Sequence, residues 1–130
     1  MASLEKPRFD PLEPLVAEIV TEILRAGDVV APIEVLVRLE IIEPEQVEAW
    51  RRGGLPYLER GIRAGLSRVA RLLRLVAERC VALGLKPVLG KYQRRGKGRL
   101  RFSKRGDQES EAAYATHFVR PGQRTPTKIA

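Results

Sequence analysis

The expected fold is decided by residues 56–85, which read PYLERGIRAGLSRVARLLRLVAERCVALGL. Apolar residues recur in this stretch at steps of three and four, the spacing that places side chains on one face of a helix. That face comprises Leu58, Ile62, Leu66, Val69, Leu73, Val76, Cys80 and Leu83. Proline suits the first position of a helix, where its missing N–H costs nothing. The pattern predicts one amphipathic helix from Pro56 to Leu85, about 40 Å long if unbroken.

Two glycines inside this stretch leave a second interpretation open. Gly61 and Gly65 either allow another helix to approach closely or divide the stretch into two pieces, with Ser67 starting the second. Arginines such as Arg71 and Arg74 occupy the face opposite the apolar one. That arrangement would also suit an acidic partner helix or a membrane surface, but a domain of this size needs the apolar face for its core.

The composition is that of a soluble globular protein. The chain has 130 residues, of which 44% are apolar and 31% charged, and this length suits one domain with a real core. Charged residues interrupt every apolar run, so we expect no membrane span, and residues 1–10 lack the apolar region of a signal peptide. The single cysteine, Cys80, is expected to be a buried hydrophobe and not a reactive thiol. A cytoplasmic location is the default expectation.

The first fifty residues predict three helices after an extended arm at residues 1–13. The first runs from Pro14 to Ala26, and Gly27 suits the left-handed position just past a helix end. Residues 29–42 are ambiguous, because β-branched residues favour a strand whereas Pro32 favours a short helix, which we adopt. The third helix spans Pro44 to Arg52. Prolines at 32, 44 and 56 recur every twelve residues, which predicts a compact helical array.

Residues 42–53 resemble the turn and second helix of a helix-turn-helix unit. They read IEPEQVEAWRRG, with a cap, a helix that has an apolar residue at its fourth or fifth place, a tryptophan and a glycine. The resemblance covers residues 32–53 and implies a loosely helix-turn-helix or winged-helix-like scaffold. Glu40 stands in the region where such a turn has its glycine, and Glu45 and Glu48 would face DNA phosphates repulsively. We therefore expect a scaffold in which this helix does not read DNA.

The last third of the chain predicts a basic β-hairpin and a short helix. Leu100 and Phe102 alternate with polar residues, as in a strand with one buried face, and residues 88–93 are the expected partner strand, with the turn at 96–98. Asp107 is expected to begin a helix on which Tyr114 and Phe118 dock against the core. The fold class is thus mainly α (α+β), with a single globular domain at 14–119 and a flexible basic tail at 120–130.

Charge is distributed very unevenly along the chain. Residues 1–50 hold 4 Lys/Arg and 11 Asp/Glu, whereas residues 51–130 hold 20 Lys/Arg and 5 Asp/Glu. Residues 86–105 carry nine cations and no acid, interleaved with Tyr92 and Phe102. Such a segment suits neutralisation of the phosphate backbone of nucleic acid, DNA slightly favoured over RNA. The expected contacts are Lys91, Arg94, Arg95, Lys97, Arg99, Arg101, Lys104 and Arg105, extended by Arg71 and Arg74.

The same charges can arise without any role in nucleic-acid binding. The hairpin could be a solubilising edge whose cations prevent strand-to-strand aggregation, and the abundance of arginine could reflect a GC-rich genome. Alternatively, the protein is an adaptor for an acidic protein partner, or a homo-oligomer in which acidic and basic halves meet.

The sequence offers no constellation for catalysis. It has one histidine, His117, no Cys/His cluster, and carboxylates that fall on predicted helix surfaces. We expect a non-enzymatic protein without a cofactor or metal.

Overall fold

A computed structural model describes residues 10–90 and 100–122. These residues form α-helices and a small antiparallel sheet, the mainly helical α+β class that the sequence predicts. The elements are α1 (Leu12–Ala26), β1 (Val29–Val30), α2 (Pro32–Arg38), α3 (Pro44–Arg51), a 3-10 helix (Leu58–Gly61), α4 (Leu66–Ala82), β2 (Lys86–Leu89), α5 (Gln108–Ala115) and β3 (Thr116–Val119).

The first helix begins two residues earlier than the sequence pattern suggested. The Leu12 N–H donates to the Asp10 carboxylate at 3.0 Å, which orders the chain just before the predicted start at Pro14. The end at Ala26 is as predicted, but Gly27 is extended, with φ −162°, and not left-handed. The chain passes almost directly from α1 into β1, so an extended residue is what the connection needs.

Helices α2 and α3 begin at the two prolines that predicted them. The Glu34–Arg38 ion pair forms along α2 at 3.0 Å, and Val29–Val30 adds a short strand, so both interpretations of residues 29–42 hold in part. Glu40 adopts φ +60° in the turn between the helices, a conformation that usually favours glycine. The winged-helix resemblance stays a prediction.

The single long helix predicted over residues 56–85 is wrong, and the alternative with a break at the glycines is confirmed. Ile62 forms a β-bridge with Ile42, and the Arg63 N–H donates to the Ile41 carbonyl at 2.8 Å. Both contacts need an extended backbone, which is incompatible with a continuous helix. Gly65 caps α4, which starts at Leu66 and spans 17 residues.

The core lies between α1 and α4 and continues under the sheet. The buried faces of the two helices supply Val16, Val20, Val69, Leu72 and Val76, each at most 1% exposed, to one apolar cluster. Full burial of such a side chain stabilises a fold by about 1.5–3 kcal/mol. The apolar stripe from Val69 to Cys80 is therefore used for core packing, whereas Leu66 and Leu83, which the sequence placed on the same face, are exposed.

The predicted hairpin is wrong in its pairing. Strand β2 pairs with β3, with Pro87 opposite Phe118 and Val88 opposite His117, and β3 lies between β1 and β2. The sequence suggested that Phe118 lies on the last helix, but Phe118 and His117 both lie on β3. Residues 100–103 belong to no strand, and the predicted turn at 96–98 lies outside the described residues.

The period-two pattern that suggested the second strand of the hairpin nevertheless has a structural meaning. Leu100 and Phe102 are buried and Arg101 is exposed, as the alternation requires, although Ser103 is buried as well. However, the backbone of this segment bonds to the 3-10 helix: Leu58 N–H donates to the Arg101 carbonyl at 3.1 Å, and Glu59 N–H to the Phe102 carbonyl at 2.9 Å. An extended segment can satisfy its carbonyls without a partner strand.

The predicted cap of the last helix is confirmed. The Asp107 carboxylate accepts a hydrogen bond from Ser110 N–H at 3.1 Å, and this bond holds the pKa of Asp107 below its ordinary value. Arg120, which the sequence assigned to a flexible tail, donates from Nε to Asp28 at 2.8 Å. The start of the predicted tail is therefore tied to the end of α1, and residues 123–130 lie outside the described part of the chain.

The position of Cys80 leads to a first prediction. The side chain is fully buried on α4, and burial raises the pKa of the thiol to about 12. Because the thiolate is the reactive form, iodoacetamide at about pH 8 should leave the folded protein unmodified and label the guanidinium-unfolded protein completely. Rapid labelling of the folded protein, measured by mass spectrometry, would contradict the buried position.

Candidate nucleic-acid interface

Half of the ten predicted contact residues fall within the described structure. Lys91, Arg94, Arg95, Lys97 and Arg99 lie outside it. Arg71 and Arg74 are on α4, while Arg101, Lys104 and Arg105 lie in the connection that leads to α5.

Within the basic segment, residues 86–105, the two described residues on either side of 91–99 are both buried in the fold. They are Gly90 and Leu100. Gly90 N–H donates to the Ala115 carbonyl at 2.9 Å, and a Cβ atom at this glycine would come within 3.0 Å of the His117 ring. Glycine is therefore the residue that allows the chain to pass the ring. At the other end, Leu100 is only 7% exposed. The chain is therefore held in place at Gly90 and at Leu100, on either side of residues 91–99.

Aromatic side chains hold the C-terminal end. Trp50, on α3, is fully buried and donates from its indole nitrogen to the Arg101 carbonyl at 2.7 Å. The Phe102 ring lies between Trp50, with centroids 5.0 Å apart, and Tyr114, stacked at 5.6 Å. Helices α3 and α5, which are distant from each other in sequence, thus meet on this short segment.

Two carboxylates complete the anchoring, and both bind backbone amides. Glu111 accepts hydrogen bonds from Phe102 N–H at 2.9 Å, from Ser103 N–H at 2.8 Å and from the Ser103 hydroxyl at 2.7 Å. Glu59 accepts from Lys104 N–H at 2.9 Å and from the Tyr114 hydroxyl at 2.8 Å. Burial is the main cause that raises the pKa of Tyr114, and the hydrogen bond to Glu59 raises it further. We call Trp50, Glu59, Glu111 and Tyr114 the clamp.

Arg101 does not occupy the position expected of a phosphate contact. Its Nε donates to the Ser103 carbonyl at 2.9 Å, and its Nη2 donates to the Lys104 carbonyl. The guanidinium carbon lies 5.7 Å from the centre of the Tyr57 ring, a cation–π distance. Sequence reasoning could identify the charge but not the internal carbonyls that it binds.

Lys104 and Arg105 point into solvent on the same turn. The Arg105 side chain is 83% exposed, and its nearest described carboxylate is Asp107, at 3.6 Å. Such an exposed pair contributes little to stability and exchanges readily for another anion.

The two arginines on α4 differ from each other. Arg71 pairs with Asp10 at 3.1 Å, so a phosphate would have to displace this carboxylate. Arg74 is exposed and lines a groove together with Glu59. Because Glu59 also binds the Lys104 amide, Arg74 is on the side of the molecule to which the basic segment returns.

That groove, which the sequence did not predict, lies between α4 and α5 and has a volume of about 590 Å³. Its walls are mostly apolar and small, with Ala70 and Ala77 from α4 and Ala112 and Ala113 from α5. Leu66, at one side, is 48% exposed. The signal for it in the sequence is the alanine content of α5, a helix with almost no apolar face of its own.

His117, on β3, is buried at 2% exposure, with Nδ1 2.9 Å from the Ala115 carbonyl. Burial lowers its pKa, so the neutral ring is the stable form. His117 is thus a buried side chain with a hydrogen-bonding partner. Within residues 10–90 and 100–122, no three histidine, cysteine or acidic side chains come together as a metal site would require.

Comparisons with protein-family models, curated proteins and solved structures gave no match to this chain. In the parts of the chain that the structure describes, no helix has both the length and the apolar character needed to cross a bilayer.

The clamp leads to a prediction about stability. Replacing Glu111 with Gln leaves one acceptor oxygen for three donors and turns an amide N–H₂ towards backbone N–H groups. We expect a loss of about 2 kcal/mol in the free energy of unfolding, measured by urea denaturation. The matched control is Glu109→Gln, which removes the same charge from an exposed position on the same helix and should change stability by under about 0.5 kcal/mol. Equal effects of the two substitutions would contradict the clamp.

The buried histidine predicts a pH dependence. Because its folded pKa is below the unfolded value of about 6.5, the unfolded chain binds the proton first, and stability is lost as pH falls from there towards the folded pKa. This loss has a limiting slope of about 1.4 kcal/mol per pH unit, and His117→Gln should lack it. Urea unfolding of both proteins between about pH 7.5 and pH 5 measures the difference, and parallel curves would refute the prediction.

Proposed function

We propose that this protein binds nucleic acid through the phosphate backbone, without catalysing a reaction, and that residues 86–105 form the contact surface. The observation that carries the proposal is the density of nine cations without an acid in twenty residues. The exposure of Lys86, Lys104 and Arg105, next to two anchored ends, supports it. Helix α3, residues 44–51, carries glutamates that would repel DNA, so it is poorly suited to contact base edges. This favours contact with phosphates over contact with bases.

A polyanion relieves the mutual repulsion of such a segment. Each phosphate that it neutralises releases a condensed counterion, and this release favours binding. Lys104 and Arg105, with Lys91, Arg94, Arg95, Lys97 and Arg99, are the proposed contacts. Arg74 extends the surface along α4, whereas Arg71 contributes only if it leaves Asp10.

Salt dependence tests this proposal directly. If about six phosphates of a DNA duplex are neutralised, log affinity should fall against log salt concentration with a slope of about −5. Fluorescence anisotropy with a labelled duplex measures the slope. A flat response, or no binding at low salt, rejects the function.

A charge-matched pair of variants tests the location. Replacing Arg95, Lys97 and Arg99 with Ala should weaken binding to all duplex sequences alike and flatten the slope by about 2.7, because phosphate contacts carry no sequence information. The control replaces Arg25, Arg38 and Arg52, which are exposed and lie on or beside α1, α2 and α3, and removes the same net charge. If the control weakens binding as strongly as the first variant, the contact is long-range attraction to the whole protein and not this segment.

Self-association, or binding to an acidic protein, is a second candidate. Exposed glutamates on α1, such as Glu18 and Glu22, and on α3, such as Glu45, provide an acidic surface that complements the basic segment. This candidate predicts oligomers that persist after nuclease treatment and dissociate with salt in light scattering. Monomers after nuclease treatment exclude self-association.

A further inference from the structure

The turn from Ser103 to Gly106 has a fixed shape before any ligand binds. Gly106 N–H donates to the Ser103 hydroxyl at 2.9 Å, and that hydroxyl donates to Glu111 at 2.7 Å. Lys104 N–H is held by Glu59. The backbone groups of the turn are thus bound from inside the protein, and the two cationic side chains are directed outward.

Arg101 is the only described cation that holds this turn together. The guanidinium edge formed by Nε and Nη2 binds the carbonyls of Ser103 and Lys104. Gly106 has φ +72°, and a Cβ atom there would come within 3.1 Å of both nitrogens. Glycine therefore lets the guanidinium lie flat against the turn. The planar fork of arginine matches two carbonyls, and a lysine ammonium does not.

We propose that the turn at residues 103–106 is a preformed phosphate-binding site, in which Lys104 and Arg105 contact the phosphate and Arg101 is a positioning residue. The proposal rests on the nucleic-acid function proposed above. Because the backbone of the turn is already fixed, it loses less freedom on binding, and this favours tighter binding. Charge-assisted contacts from two adjacent cations suit one phosphate group or two neighbouring ones.

The acidic side chains around the turn are compatible with an anion. Glu59 and Glu111 direct their oxygens to backbone amides of the segment, so their charges are already partly compensated. Asp107 caps α5 through Ser110 and is the only described carboxylate that pairs with Arg105. A phosphate at Arg105 would replace a weak, exposed ion pair.

A double-mutant cycle on duplex binding tests the proposal. Arg101→Lys keeps the charge but loses the fork, and it should weaken binding roughly tenfold in the wild-type background. In a background with Lys104→Ala and Arg105→Ala, the same change should cost less than about twofold, because Arg101 then has nothing to position. The Lys104→Ala/Arg105→Ala change alone should flatten the salt slope by about 1.8. Equal losses from Arg101→Lys in both backgrounds, or no loss in either, would overturn the positioning role.

Amide hydrogen exchange of the free protein separates this role from the proposed function. Arg101→Lys should accelerate exchange at the Lys104 and Gly106 amides, whether or not the protein binds nucleic acid. An arginine that only contacts phosphate would leave their exchange unchanged, and that result overturns the positioning role even if the wild-type protein binds a duplex. If the wild-type protein shows no salt-dependent binding, both the phosphate site and the proposed function are wrong.

A pair of glycine variants repeats the test without replacing any charged residue. Gly106→Ala places a methyl group against the guanidinium, whereas Gly84→Ala meets nothing within 4 Å and has a similar positive φ of 85°. Both variants strain the backbone, but only Gly106→Ala should weaken duplex binding, by roughly tenfold. Equal affinities of the two variants would contradict the proposal.

Discussion

The surface around the basic segment depends on the anchoring of residues 101–104 between the 3-10 helix and α5. Residues 101–104 have no partner strand, and they are partly buried. Their backbone groups therefore need other hydrogen-bonding partners. Glu111 and Glu59 bind its amides, while Trp50 and the N–H groups of Leu58 and Glu59 bind its carbonyls. Leaving any of these groups unpaired would cost about 1–3 kcal/mol.

The clamp also joins α3, the 3-10 helix and α5, because its residues lie on these three elements. Trp50 and Tyr114 flank the Phe102 ring, although they are far apart in sequence. Helix α5 has little amphipathic character, and its attachment comes from Tyr114, Ala115 and Glu111. The elements that carry the proposed interface are thus held by the same contacts that direct Lys104 and Arg105 outward.

Local signals in the sequence were sufficient for most helices. Pro32 and Pro44 identified the starts of α2 and α3, and Asp107 identified the cap of α5, because each effect acts within a few residues. The break before α4 was visible as Gly65, but the contact that requires it, between Ile62 and Ile42, is not local. Likewise, Phe118 follows Tyr114 at a helical spacing and nevertheless lies on β3, since its pairing with Pro87 cannot be read from a spacing. Arg101 illustrates the same limit at the candidate site: a sequence shows a charge, whereas only the fold shows whether that charge faces a carbonyl or solvent.

The central claim is that an ordered cationic turn next to a clamped segment is where a polyanion binds. The most direct measurement is a titration of the ¹⁵N-labelled protein with a short DNA duplex, followed by amide chemical shifts. The account predicts that the largest shifts occur at Lys104, Arg105 and Gly106 and in the basic segment, while α1 stays unchanged. Shifts concentrated on α1, or none in residues 100–106 at saturating duplex, would contradict it.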